Sequence, residues 1–416
     1  MENFKINLKN VNGGAISVCK VLQIHGFQSY IVGGCVRDLL LGVAPKDWDI
    51  TSDASPEQVM SLFSNCIPTG IQHGTVTVPC GPGVANHFEV TTFRTEGEYL
   101  DGRRPESVVF VKDVKEDLAR RDLTINAIAF DPFTEQLVDP FDGIGDLQNK
   151  IIKAVGDPDA RFKEDGLRIM RVARFAARFG YEIEEKTFQA MKANLSTLKL
   201  VSKERVRDEL CKTLMTKHAF YGLNIMKDTG ILHLTCRSLM GDFDNVDFIT
   251  NIHKCSGDLE TKIAFMYHNT PKDEAEMDFN DLKFSSKEIK RILFQLELLR
   301  LHKINLVNYK RTDYVQFISF IKNQSPDAWE YTLNEFISLT EALDMSFRVQ
   351  MDKYYGTIVL ARRELKVNGN DLIGLGVKPG PEMKKILDDC YQEVLKAPQN
   401  NNLEYLSKFA LTFNQK

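Results

Sequence analysis

Among the eight cysteines, no two form a C-x-x-C pair and none lies beside a histidine pair at zinc-ligand spacing. That excludes a zinc ribbon or finger and leaves free thiols in a reducing compartment. No apolar run approaches the roughly 20 residues that a membrane-spanning helix needs. The opening Met1-Glu2-Asn3-Phe4-Lys5 has neither the charged nor the apolar region of a signal peptide, so a cytoplasmic protein with no membrane association is expected. An excess of positive charge is also missing: 53 Lys and Arg stand against 57 Asp and Glu, a net charge of −4. Composition therefore announces no nucleic-acid partner, although a mixed balance still allows a basic face beside an acidic metal site. No histidine is followed directly by aspartate, which removes the His-Asp pair of a phosphohydrolase. Repeats of 20 to 50 residues are absent, and only Asn400-Asn401-Asn402 hints at low complexity.

What is present is ordinary globular composition, 43% hydrophobic and 26% charged, on a chain of 416 residues. Such a length exceeds one compact core and divides into about two to four domains. The first part alternates strand and helix signals. Ser29–Val32 reads as a strand, Val36–Leu41 as the start of a helix, and Asp47–Ile50 as a second strand. Gly74–Val78 and Phe88–Phe93 are two more, rich in β-branched and aromatic residues. Thr95–Glu106 is polar, with two glycines and a proline, and reads as a mobile loop. From Phe162 onward the periodicity is that of amphipathic helices, with turn clusters near Ser202, Thr270, Asn323 and Gly369.

The chemistry gathers in four places. Asp47-Trp48-Asp49 falls on a predicted strand, where alternation sets both carboxylates on one face. Paired carboxylates raise each other's pKa and persist best when a divalent cation neutralises them. Magnesium, which favours carboxylate oxygens and substrate phosphates, suits such a pair. Taken alone, Asp-x-Asp is more often a polar strand edge. Its context is more specific, because Gly33-Gly34-Cys35-Val36-Arg37-Asp38 lies upstream between a strand and a helix. Glycines there let backbone N–H groups approach a phosphate, and Arg37 can add a charge-assisted contact.

Asp165 and Arg168 stand three apart, as helix neighbours do. Arg168, Arg171, Arg174 and Arg178 fall within an arc of about 120° on a helix, opposite Ile169, Val172, Ala173, Ala176 and Phe179. One side packs, and the other offers a cationic platform for triphosphate or RNA. Asp supplies only acceptors and Arg only donors. Cytosine and adenine present an amino donor beside a ring-nitrogen acceptor, whereas uracil and guanine reverse that order. One Asp–Arg pair can therefore accept C and A and reject U and G.

Taken together, Gly33–Asp38, Asp47-Trp48-Asp49, Glu89–Arg94, Arg120–Ala127 and Glu164–Arg168 resemble the polymerase-β-like nucleotidyltransferases. More closely they resemble the class II tRNA nucleotidyltransferases, the CCA-adding enzymes. The likeness is strong over roughly residues 28 to 215, thin through Leu232–Ser286, and returns weakly at Gly369–Leu387. It implies an α+β fold: a catalytic head (1–148), then an all-helical neck (149–210), body (211–300) and tail (301–416). It implies template-independent addition and repair of the tRNA 3′-terminal CCA from CTP and ATP by two-metal nucleotidyl transfer, with Mg2+ as the cofactor. Asp47 and Asp49 would hold the metals, with Glu89 as a third catalytic carboxylate. Gly33, Gly34, Arg37, Arg121, Asp122, Asn126, Asp165, Arg168, Arg171 and Arg174 would bind the nucleotide.

Asp101, Arg103 and Arg104, in the polar loop, would help switch selection from C to A. Gly374–Pro381, ahead of a helix, reads either as an ordinary turn or as a grip on the outer part of tRNA. The nearest rivals are a bacterial-type poly(A) polymerase, which shares the head motifs, and partial enzymes adding only CC or only A. Gly70–Val76 and the Asp101 loop favour CCA addition over poly(A) synthesis.

Overall fold

The computed structural model describes residues 5–80, 87–96, 108–239, 251–253, 255, 257–305, 311–343 and 359–413. The predicted Asp101, Arg103 and Arg104 lie outside the described residues. The chain divides into two compact units, residues 1–237 with 281–283, and residues 238–280 with 284–416.

The first unit opens on helix α1 (Gly13–Ile24), which buries Ala15, Val18, Cys19 and Leu22 along one stripe. Asn12 starts it by accepting hydrogen bonds from the N–H groups of Gly14 and Ala15. Next come β1 (Ser29–Val32), α2 (Gly34–Leu40), β2 (Asp49–Ser52), α3 (Pro56–Leu62), β3 (Ile67–Gly70), β4 (Thr75–Pro79) and β5 (His87–Thr92). The short pair β6 (Arg94–Glu96) and β7 (Val108–Phe110) leads into α4 (Val114–Ala119). Two more strands follow, β8 (Ala129–Phe130) and β9 (Leu137–Val138).

Seven of these strands form one mixed sheet in the order β3-β4-β5-β2-β1-β8-β9. The pairing of β2 with β5 is parallel, and its neighbours are antiparallel. Alternation is clean on β5, where Phe88, Val90 and Thr92 are buried while His87 and Glu89 are exposed. Each wholly buried Phe or Ile contributes about 1.5–3 kcal/mol. Phe88, Ile31 and Ile50 are therefore what fixes β5, β1 and β2 in register.

Strand boundaries shift by one or two residues from those expected. The difference matters at one point. Asp47 is not on the strand: β2 begins at Asp49, and Asp47 sits in the bend that precedes it. The two carboxylates are brought together by that bend and not by strand alternation.

Helix α5 (Gly143–Asn149) and the short strand β10 (Ile151–Ile152) lead out of the sheet. Then come α6 (Pro158–Glu164), α7 (Leu167–Phe179), β11 (Glu182–Ile183), α8 (Glu185–Ala193), α9 (Lys203–Leu214), α10 (Ala219–Asp228) and α11 (Ile231–Thr235). Ile169, Val172, Ala173 and Ala176 of the apolar stripe read from the sequence are buried, while Phe179 is half-buried beneath Arg37 and Arg178. Two arginines tie these helices to the sheet domain by capping the end of α4. Arg161 donates to the Ala119 carbonyl (3.0 Å), and Arg168 to the Arg120 carbonyl (3.0 Å). Cations on the orphan carbonyls of a helix C-terminus are favourable.

The second unit is helical where described. Its helices are Leu259–Met266, Lys272–Asp281, Ser286–Asn305, Arg311–Gln324, Trp329–Ala342, Gly369–Gly374, Pro381–Lys396 and Leu403–Leu411. Val367, Leu372, Val377, Ile386, Cys390, Val394, Leu406 and Ala410 form one of its cores. Gly369 begins a short helix capped by Asn368 and is not itself a turn. Gly376 and Gly380 make the turn ahead of Pro381–Lys396.

Candidate active site

Two cavities in the first unit share Arg121, Asp122 and Arg171. The larger, of about 430 Å3, is lined by Gly34, Cys35, Arg37, Asp38, Lys46, Asp47, Asp49 and Asn126, and on the α7 side by Arg174, Phe175 and Arg178. The smaller, of about 310 Å3, adds Arg120, Asp165, Leu167, Arg168 and Arg205 to the shared three.

In the larger cavity the acids dominate one wall. Asp49 is the register partner of Glu89 across the parallel β2–β5 pair, an acid beside an acid. Burial pushes the Asp49 carboxyl up; Arg121 opposes this, and the charges of Glu89 and Asp47 push it further up. Glu89 acts on Asp49 electrically but does not line the cavity. An acid set against acids, with one arginine as partial relief, is an arrangement that a hard cation would neutralise. Among the described residues no group of three or more His, Cys, Asp or Glu could enclose a metal by itself.

Gly33 has φ +82°, and a Cβ there would meet Arg121 Nη1 at 2.8 Å. Only glycine lets the backbone turn here and the guanidinium lie against it. Arg121 is held from behind by Asp117, a carboxylate with no exposed surface. Burial pushes Asp117 up, but Arg120 and Arg121 outweigh this and hold it below the ordinary range. Thr51, two residues after Asp49, also donates to Asp117 (3.3 Å), so strand β2 and the arginine share one anchor. The neighbouring Cys35 thiol is raised to about 12 by burial and is no nucleophile.

Arg37, expected to bind the nucleotide, lines the larger cavity. It is buried, and its fork is engaged by Asp38 (2.7 and 2.9 Å) and by the Asn126 side-chain carbonyl. It also lies over the rings of Phe175 and Phe179, at 5.3 and 5.1 Å. Asn126 turns its amide N–H2 to Asp122 (3.2 Å) and so links Arg37 to the base side of the site.

The α7 arginines line up as expected, but they do not present free charge. Arg171 pairs with Asp122 (2.7 Å), Arg174 with Glu209 (2.5 Å), Arg178 with Asp38 (3.3 Å), and Arg168 with Glu164 (2.6 Å). Burial pushes Asp122 up, but the Arg171 charge and hydrogen bonds from Arg171 and Asn126 prevail, leaving it at about 2. Phe175 lies beneath the row, with Arg174 over its ring at 4.3 Å and Arg171 at 5.5 Å.

Asp165 is not on the helix with Arg168. Its backbone is extended (φ −141°, ψ 106°), and its carboxylate accepts the Leu167 N–H (3.0 Å) at the start of α7. Gly166 permits this turn, since a Cβ would meet the Thr197 backbone at 2.6 Å. Sequence reasoning missed Asp117, Glu164, Arg205 and Glu209. The i,i+4 spacings of Asp117 to Arg121 and Glu164 to Arg168 carried a signal; Arg205 and Glu209 carried none.

A mixed sheet with an acidic central pair, a glycine turn into a short helix, and helices that follow the sheet and help to line a second cavity define a polymerase-β-like nucleotidyltransferase. Comparison with known proteins narrows the class. Residues 29–153 match a family model described as the Poly A polymerase head domain. Residues 180–239 match one for a probable RNA-binding site of polymerase A, and residues 259–410 one for tRNA nucleotidyltransferase domain 2. The CCA-adding enzyme of Lactobacillus helveticus is 36% identical over 95% of this chain and 96% of its own. That of Lactococcus lactis subsp. cremoris is 34% identical over 92% of each. The crystal structure of the Bacillus stearothermophilus CCA-adding enzyme in complex with CTP superposes with a TM-score of 0.79 at 28% identity, covering 97% of this chain and 98% of the other. The chain belongs to the CCA-adding enzymes. Among the described residues no helix is long and apolar enough to cross a membrane.

Proposed function

We infer that this protein adds and repairs the 3′-terminal CCA of tRNA in the cytoplasm, from CTP and ATP, without a nucleic-acid template and with magnesium as its cation. The observation that carries this reading is the pair of adjoining cavities, one holding Asp47 and Asp49 among basic side chains and one holding Asp165 and Arg168, joined through Arg121, Asp122 and Arg171. Reaction and selection are thereby held within one nucleotide's reach.

Asp47 and Asp49 would hold the divalent cations, which when bound lower the pKa of the RNA 3′-hydroxyl and neutralise the triphosphate. The rest of the work falls to side chains. Glu89 keeps the acidic field around Asp49 strong. Arg121, fixed by Asp117 and the Gly33 turn, faces the phosphates. Asp122 and Asn126 brace Arg171 and Arg37, so the walls do not collapse onto each other while the site is empty of substrate. Asp165 and Arg168 read the Watson–Crick edge of the incoming base. Phosphoryl transfer of this kind needs positioning and charge neutralisation more than covalent help.

The test is incubation with tRNA lacking its last three nucleotides, supplying each NTP alone and then CTP with ATP. The expected result is ordered C, C, A addition that stops. Long oligo(A) tails on varied RNAs would instead make the chain a poly(A) polymerase, and arrest after CC would make it a partial enzyme. Asp101, Arg103 and Arg104 enter the reading as helpers of the final A step.

A further inference from the structure

We propose that Arg205 is a positioning residue for base selection, fixing the Asp165 carboxylate so that it rejects uracil. This rests on the reading of Asp165 and Arg168 as the base-reading pair and goes one step behind it.

Arg205 lies in the first turn of α9 and lines the base-side cavity together with Asp165 and Arg168. Its Nη2 donates to Asp165 Oδ2 at 2.7 Å. The other carboxylate oxygen, Oδ1, takes the Leu167 N–H at 3.0 Å. Asp165 is thus held at both oxygens by groups on two different helices, and its extended backbone precludes support from its own helical turn. A carboxylate has about four lone-pair sites, so two such bonds leave acceptor capacity for a base amino group.

The geometry has an asymmetric consequence. Cytosine and adenine offer a donor to this carboxylate and would draw even a loose one into place. Uracil and guanine offer an acceptor, and acceptor against acceptor is penalised only if the carboxylate cannot turn away. Fixing Asp165 therefore matters more for refusing the wrong base than for taking the right one. An unpaired polar group in a closed site discriminates far better than a lost apolar contact. Arg205 acts through Asp165 and needs no contact with the nucleotide.

The experiment measures kcat/KM for UTP and for CTP at the first added position, using tRNA lacking its last three nucleotides. Arg205→Met, Arg205→Lys, Asp165→Asn and the unaltered enzyme are compared. Arg205→Met is expected to raise the UTP-to-CTP ratio about tenfold, most of the change lying in UTP. Arg205→Lys keeps the charge and loses the planar fork, so an intermediate ratio is expected. A merely structural role would lower both substrates together and leave the ratio where it was; that result in both Arg205 variants overturns the proposal. If those variants hold the ratio while Asp165→Asn changes it, only the role of Arg205 falls. If Asp165→Asn also leaves the ratio unmoved, the base-reading pair itself falls.

Discussion

The two cavities of the first unit sit side by side and solve opposite problems. In the larger cavity, Asp49 meets the charges of Asp47 and Glu89 with Arg121 as its counter-charge, and its carboxyl is pushed up. Around the smaller cavity the acids have basic partners: Asp122, shared by both cavities, with Arg171, Asp165 with Arg205, and Glu164, outside the lining, with Arg168. Asp49 is left electrostatically unfinished, whereas the acids around the second cavity are each paired. A site that must recruit ions and a triphosphate gains from residual charge, because binding then relieves repulsion. A site that must tell one base edge from another gains from rigidity, because discrimination depends on groups that cannot reorient.

Breaking the unfinished side has the largest expected effect. Asp49→Asn keeps the volume and removes a charge, and single-turnover incorporation of CTP is expected to fall by about 10^3-fold. The same change relieves repulsion in the absence of metal, so thermal unfolding without magnesium is expected to move slightly upward. Magnesium is then expected to raise the unfolding temperature of the unaltered protein and not that of the variant.

Breaking the Asp122–Arg171 pair, which lines both cavities, first costs stability. Asp122 sits at about 2 when folded and returns to about 4 when unfolded. Its carboxyl is depressed, so its contribution is present above pH 4 and is lost as pH falls from about 4 to about 2. That contribution is on the order of 2–3 kcal/mol at neutral pH. Asp122→Asn is expected to lose it throughout, and denaturant titrations across that range should show a flatter acid slope than the unaltered protein. An unchanged slope would mean that Arg171 and Asp122 do not hold each other in solution.

The smallest effect tests Arg168, which lines the smaller cavity alone. Arg168→Ala is expected to raise UTP use relative to CTP by about 10-fold or more. The magnesium dependence of the reaction should change little. Equal losses for every nucleotide would put Arg168 in the structural ties it makes to Glu164 and the Arg120 carbonyl.

Much of the head was legible in sequence. Ser29–Val32 is a strand with the boundaries read for it, because its buried Ile31 and Val32 and the following glycine turn are local signals. The α7 stripe packs as its period required. What misled was local arithmetic applied across a break. Asp47 was set on a strand that begins two residues later, and Asp165 on a helix whose first turn it caps from outside. Spacing arguments hold only while the backbone stays regular, and functional turns are where it does not.

The row of α7 arginines gives the clearest case. Sequence placed them on one face but could not show that Asp38, Asp122, Glu164 and Glu209 neutralise them one by one. A charge stripe read without its partners resembles a bare cationic surface.

By itself the sequence determined the chemistry: which groups can hold a cation, which glycines let the backbone turn, which donors and acceptors can read a base. These are properties of residue types at short, fixed spacing. Only the tertiary structure decided which charge answers which. Asp165 is held by an arginine 40 residues away, and Arg171 by an aspartate 49 residues before it. Electrostatic coupling depends on separation through space and on burial, and neither is a function of distance along the chain.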